Sequence, residues 1–160
     1  MIYITLGTQA CDFTRCMKMV EDLIQACNIR EQIVAQVGYT KYKSEHFECF
    51  EFVPEDKYQW YMKTADVVIS HAGTGALFSA IKRGKKVIAV ARLAKYGEMI
   101  NDHQIEIVKK LSEDGYILDG TYSLPAAWEQ LPYFNPRPND FICDLPCKID
   151  HLLAEWGITK

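Results

Sequence analysis

Short aliphatic runs rich in β-branched residues alternate along the chain with longer stretches whose apolar positions recur every three to four residues. The first pattern suits strands covered on both faces, and the second suits helices that bury one stripe. Strands are expected at 2–7, 32–37, around 47–53, 66–70, 86–92 and 116–119, and helices at 13–28, 55–64, 75–83 and 102–114. Such alternation predicts an α/β fold, a Rossmann-like parallel sheet with helices on both faces. Cap residues sharpen the boundaries. Asp12 is expected to cap the first helix, Asn101 and Gln104 have capping-box spacing for the last one, and Gly84 and Gly115 close the helices before them.

Composition sets the scale of this fold. With 160 residues, 49% of them hydrophobic and 24% charged, the chain can bury a core of its own. It divides into an α/β domain at 1–120 and a C-terminal arm at 121–160. Pro125, Pro132, Pro136, Pro138 and Pro146 are expected to keep 121–147 extended, with Trp128, Tyr133, Phe134 and Phe141 spaced along it. Ile149, Leu152, Leu153 and Trp156 then follow at helical spacing. These aromatics suit either the domain's own sheet or a partner surface.

The formal net charge of −3, without any cluster of Lys and Arg interleaved with aromatics, argues against a nucleic-acid partner. No apolar run approaches the ~20 residues that span a bilayer, and 1–7 reads as a strand rather than a signal peptide. A cytoplasmic location is expected. Of the six cysteines, Cys16 and Cys27 share the apolar face of the first helix with Phe13, Met17, Val20 and Ile24. Cys143 and Cys147, and Cys11 and Cys16, lack zinc-site spacing, so reduced structural thiols are expected and no metal site.

The candidate chemistry lies in three loops, because ligands of such sheets bind beyond the carboxyl ends of the strands. In the first, Gly7 follows a strand and permits close approach of a ligand, while Thr8 and Gln9 offer side-chain hydrogen bonds. In the second, the strand 66–70 runs through His71 into Gly73, Thr74 and Gly75 and then into a helix, whose N-terminal N–H groups favour an anion. The two glycines fit close helix–strand packing equally well. Phe78 stands where a dinucleotide fingerprint needs its third glycine, and no phosphate-loop motif or Gly-x-Ser-x-Gly nucleophile elbow occurs. In the third loop, 92–104, Asp102, His103 and Gln104 open a helix and suit either sugar hydroxyls or helix capping.

Taken in order, Thr5-Leu6-Gly7-Thr8, the segment from Ala65 to Gly75, Gly84-Lys85-Lys86-Val87-Ile88, Tyr96-Gly97-Glu98 and Asp102-His103-Gln104 resemble the glycosyltransferase family 28 C-terminal domain over about residues 1–120. Within it, the chain is similar to the small PssE/EpsF-type subunits of bacterial exopolysaccharide and capsule synthesis. The resemblance implies a single GT-B C-terminal half-domain that binds a UDP-sugar and transfers a hexose (galactose, glucose or N-acetylglucosamine) to a lipid-linked acceptor. No metal and no cofactor are implied. Gly7, Thr8, Gly73, Thr74 and Gly75 would face the diphosphate, and His71 would either reach a phosphate oxygen or order the loop. Main chain near Phe52 and Val53 would meet the uracil, and Asp102 and Gln104 the donor sugar. Many relatives carry a ribose-binding glutamate eight residues after the histidine, where this chain has Ser79. The general base would come from a membrane-associated, PssD/EpsE-like acceptor-binding subunit, which would recruit this chain to the inner face of the plasma membrane. A non-catalytic nucleotide or nucleotide-sugar sensor acting on a partner is the alternative reading.

Overall fold

The computed structural model describes residues 1–138. Its core is a sheet of six parallel strands: β1 Ile2–Thr5, β2 Ile33–Gln36, β3 Glu48–Phe50, β4 Val67–Ser70, β5 Lys86–Ala89 and β6 Leu118–Asp119. Helices α1 Thr14–Cys27, α2 Glu55–Thr64, α3 Thr74–Lys82, α4 His103–Glu113 and α5 Leu124–Gln130 connect and cover it. Side chains alternate across the pleat, and the two faces form separate apolar layers. Ile2, Ile4 and Leu6 pack with Phe13, Met17 and Val20 before and within α1, and with Leu124 and Ala127 of α5. Tyr3, Val34, Val68 and Val87 face the other way, onto Met62, Leu77, Ala80 and Val108 of α2, α3 and α4. Among the described residues, no helix is long and apolar enough to cross a membrane.

The strand order is β3-β2-β1-β4-β5-β6. The chain therefore winds outward one way from β1 and the other way from β4. The loops after these two strands diverge and leave a crevice at the sheet's carboxyl edge.

Three local expectations are corrected. Phe13, not Asp12, is the N-cap of α1; Asp12 stands one residue earlier, where its carboxylate accepts from Thr14 N (3.2 Å) and Thr14 Oγ1 (2.9 Å). The capping box at α4 does not form. Asn101 Oδ1 accepts from His103 N at 3.3 Å, but the Gln104 side chain turns inward, where its Oε1 accepts from Arg92 N at 2.9 Å. Finally, the segment after 121 is not extended throughout. Ser123 Oγ caps α5 by accepting from Ala126 N at 3.3 Å, and Pro125 lies in the first turn, where its missing N–H removes no helical bond.

Leu124, Ala127 and Leu131 are buried in the α1-side core, and Trp128 and Phe134 pack against it, while Tyr133 is 87% exposed. Among the cysteines, Cys16 is buried, and burial pushes its thiol up to about 12; Cys11, Cys27 and Cys49 are free and half-buried. Phe141, Cys143, Pro146, Cys147, Ile149, Leu152, Leu153 and Trp156 lie outside the described residues.

Because Leu124 is fully enclosed, Leu124→Ala should destabilise the domain by about 2–4 kcal/mol, the cost of a buried cavity of that size. Urea unfolding followed by tryptophan fluorescence measures it, and a change below about 0.5 kcal/mol would show that α5 is not part of the cooperative core.

Candidate functional site

A cleft of about 440 Å³ opens at the crevice between the ends of β1 and β4. Its lining includes Gly7, Thr8 and Gln9 after β1, Phe52 and Val53 after β3, and His71, Gly73, Thr74 and Gly75 after β4. All nine are candidates from the sequence. Thr5, Gln36, Glu55, Tyr58 and Ala76 complete the lining without having been singled out. Thr5 and Gln36 carried a local signal, each as a polar residue closing a buried apolar strand; the Gln36 side chain braces the site. Its Oε1 accepts from Val53 N at 3.3 Å and so ties the β3 loop to β2.

His71 organises the floor of this cleft. The Thr5 carbonyl accepts from both the backbone N–H and the Nδ1–H of His71, each at 3.1 Å. A carbonyl only accepts, so the neutral ring carries its proton on Nδ1 and its lone pair on Nε2. The ring lies where side chains at two glycines would be: a Cβ on Gly7 would stand 2.4 Å from Nε2, and one on Gly73 2.1 Å. These glycines thus admit the imidazole, whereas a Cβ at Gly75 would meet nothing within 4 Å. The open space for a ligand is beside Gly75. Burial, and then the positive charge of Arg92, push His71 down to about 4, against the opposing hydrogen bond to Thr5.

The turn that follows is strained and then uncapped. Ala72 takes a left-handed φ of 62°, unusual for a residue with a Cβ, and it is fully buried. Gly73 is the N-cap of α3 and has no side chain to bond the first turn. The first helical bond runs from Leu77 N to Gly73 O at 3.0 Å, which leaves the N–H groups of Thr74, Gly75 and Ala76 without helical acceptors. These residues line the cleft, so the positive end of the α3 dipole meets it. Glu55 and Tyr58 of α2 stand in the same cleft with Phe52 and Val53. The cleft thereby joins a donor-rich part to one with a carboxylate and aromatic surface.

The other four sequence candidates do not line the cleft. Ser79 is half-buried on α3, beside Tyr58, and its Oγ accepts from Arg83 Nη1 at 2.8 Å. Asp102 Oδ1 accepts from Ala94 N at 2.8 Å and fixes the short 3₁₀ turn Ala94–Tyr96, and the Gln104 oxygen is taken by Arg92 N. His103 is exposed, 3.7 Å from Glu106. The loop 92–104 is braced from within. Glu98, 4% exposed, accepts from Arg15 Nε (2.9 Å), Arg15 Nη2 (3.0 Å) and Leu93 N (2.8 Å).

Comparison with known proteins points the same way. The model of the glycosyltransferase family 28 C-terminal domain matches residues 1–123. The UDP-N-acetylglucosamine transferase subunit ALG13 of Mus musculus is 26% identical over 122 residues, which cover 72% of this chain and 10% of that protein. The chain thus spans about one tenth of the length of this relative. Among solved structures, an NMR solution structure of ALG13 superposes with a TM-score of 0.60 at 19% identity, covering 96% of this chain and 94% of the other. The glycotransferase of kitacinnamycin gives 0.57 at 16% identity, covering 86% of this chain and 35% of that one. At these identities the two structures show the fold.

The buried, neutral His71 makes stability depend on pH. An unfolded chain protonates this imidazole below about pH 6.5, whereas the folded chain resists until about 4. The contribution is therefore complete above pH 6.5 and lost as pH falls toward 4. In urea unfolding, the stability of wild type relative to His71→Asn should fall by about 2–3 kcal/mol between about pH 7.5 and about pH 4.5. A pH-independent difference would show that the ring is not held neutral.

Proposed function

The chain belongs to the glycosyltransferase family 28 C-terminal domain family, and from that premise we propose that it is the UDP-sugar-binding subunit of a two-component glycosyltransferase. One observation carries this reading: an uncapped helix N-terminus and a glycine-framed histidine meet an aromatic-lined recess in a single cleft at the point where strand order reverses. A nucleoside diphosphate has the matching polarity. Its anion takes the free N–H groups of Thr74, Gly75 and Ala76, and its base lies along Phe52 and Val53. Glu55, on the same side as the aromatics, repels phosphate and accepts from neutral hydroxyls. The name of the mouse relative favours N-acetylglucosamine as the transferred hexose.

The chemistry asked of this chain is stabilisation of the departing UDP. Fixed N–H dipoles aimed at the diphosphate oxygens stabilise the charge that develops as the sugar–phosphate bond breaks, and they need no metal to do so. The acceptor hydroxyl must lose its proton to a general base. Among the residues lining the cleft, His71 has its free nitrogen directed between Gly7 and Gly73. We assign the base to a partner, a PssD/EpsE-like, membrane-associated subunit that brings a lipid-linked acceptor of polysaccharide assembly to the cytoplasmic face. Asp102 and Gln104, held in the braced loop, would shape the sugar end of the completed cleft through that loop.

Isothermal titration should show UDP binding at least about tenfold tighter than ADP or GDP. Gly75→Val, whose side chain enters open space, should keep stability within about 1 kcal/mol of wild type and weaken UDP at least about tenfold. Equal affinity for the three nucleotides, or unchanged UDP binding by Gly75→Val, would refute the site. Turnover of UDP-sugar on adding an acceptor-binding subunit separates a transferase subunit from a sensor.

A further inference from the structure

Arg92 is the largest side chain that the fold encloses, at 1% exposure, and among the described residues no carboxylate pairs with it. Its Nη2 donates to Leu6 O at 2.7 Å and its Nη1 to Gln9 Oε1 at 3.4 Å, while Nε has no acceptor. The guanidinium carbon lies 5.2 Å from the centre of the Phe13 ring. Glu98, the buried carboxylate of this region, is bound in two-pronged fashion to Arg15. Of the two guanidinium groups only that of Arg15 is paired with this carboxylate, and the positive charge of Arg92 is left over.

A buried cation without a counterion is costly, and apolar residues of equal size commonly serve stability better. What distinguishes this position is where the donors point. They hold the two residues that flank Gly7 and Thr8, so Arg92 fixes that cleft-lining turn from behind. An anion in the cleft would supply the countercharge that the fold omits. Arg92 also acts on His71, whose affinity for a proton it lowers.

We infer that Arg92 is a positioning residue for the donor's diphosphate: it fixes the Leu6–Gln9 turn and supplies the buried positive charge that a bound diphosphate neutralises. This rests on the UDP-sugar reading of the cleft. It assigns the loop at 92–104 a purpose besides sugar contact, because Gln104 anchors the Arg92 backbone and Glu98 removes Arg15 from competition.

The test compares UDP with uridine, which lacks the phosphates, by calorimetry on the full chain. In wild type UDP should bind far more tightly than uridine. In Arg92→Met, a neutral side chain of similar reach, the UDP-to-uridine affinity ratio should fall at least about tenfold while uridine affinity stays within about threefold, and Arg92→Lys should recover part of the ratio. Equal losses for both ligands, or an unchanged ratio, would reduce Arg92 to a structural role. Should Arg92→Met not fold, the wild-type ¹⁵Nε–H resonance of Arg92, assigned by its loss in Arg92→Lys, should shift with UDP and stay with uridine; a signal unmoved by UDP overturns the inference. A wild type that binds no UDP instead removes the donor reading itself, and this inference with it.

Discussion

The doubly engaged carbonyl of Thr5 is the fixed point of this molecule. It lies at the end of β1 and accepts from the main chain and the ring of His71 at the end of β4, so it ties together the two strands between which the winding reverses. Everything in the cleft is placed relative to that bond. It selects the tautomer, directs Nε2 between Gly7 and Gly73, and leaves no room for a side chain at either. Gly38 extends the same close packing: a Cβ there would stand 2.5 Å from Gly7 O. The left-handed Ala72 is the conformational consequence. With His71 held at the strand end, the chain must turn sharply to start α3 over the cleft.

A second consequence is electrical. His71 is kept neutral by burial and by Arg92, so the cleft presents main-chain dipoles rather than a second full charge. Arg15, Arg92 and Glu98 sit behind it, held by hydrogen bonds to Leu6, Gln9, Ala91, Leu93 and Thr121. Groups immobilised in this way do not need to reorganise when an anion arrives, which is the property that makes fixed dipoles effective at stabilising developing charge.

The sheet and the turn at its centre were legible because their signals are local. Val67–Ser70 is an aliphatic run on a strand period, the glycines after it mark a turn, and the next apolar stripe has helical spacing. The alternation of six strands with helices then restricts the topology to few choices. What the sequence left undecided is direction. Gln104 has the spacing of a capping residue, yet the nearby Arg92 N–H is buried and takes its oxygen. Pro125 reads as a breaker unless it lies in the first turn, and the cap at Ser123 puts it there. Glu55 and Tyr58 enter the cleft only because β2 pairs with both β1 and β3, which brings the loop after β3 and the start of α2 to the cleft, a proximity that no spacing encodes. Even Gly73, singled out for the room it leaves a ligand, makes room first for a side chain of the protein.

On the proposed reading, the division between two subunits follows from the shape of the site. The cleft lies at the carboxyl edge of the sheet and is partly open, so solvent reaches the N–H groups at the start of α3. A diphosphate held there is screened by a high dielectric, which allows binding but weakens the stabilisation of a leaving group. Covering the cleft with a second surface would expel that water and strengthen the same unmoved dipoles. Donor recognition is thus a property that one half-domain can possess, whereas transfer requires closure. The residues that recognise the donor stand on the ends of buried strands and the first turn of α3, and the base that deprotonates the acceptor belongs to the surface that closes over them.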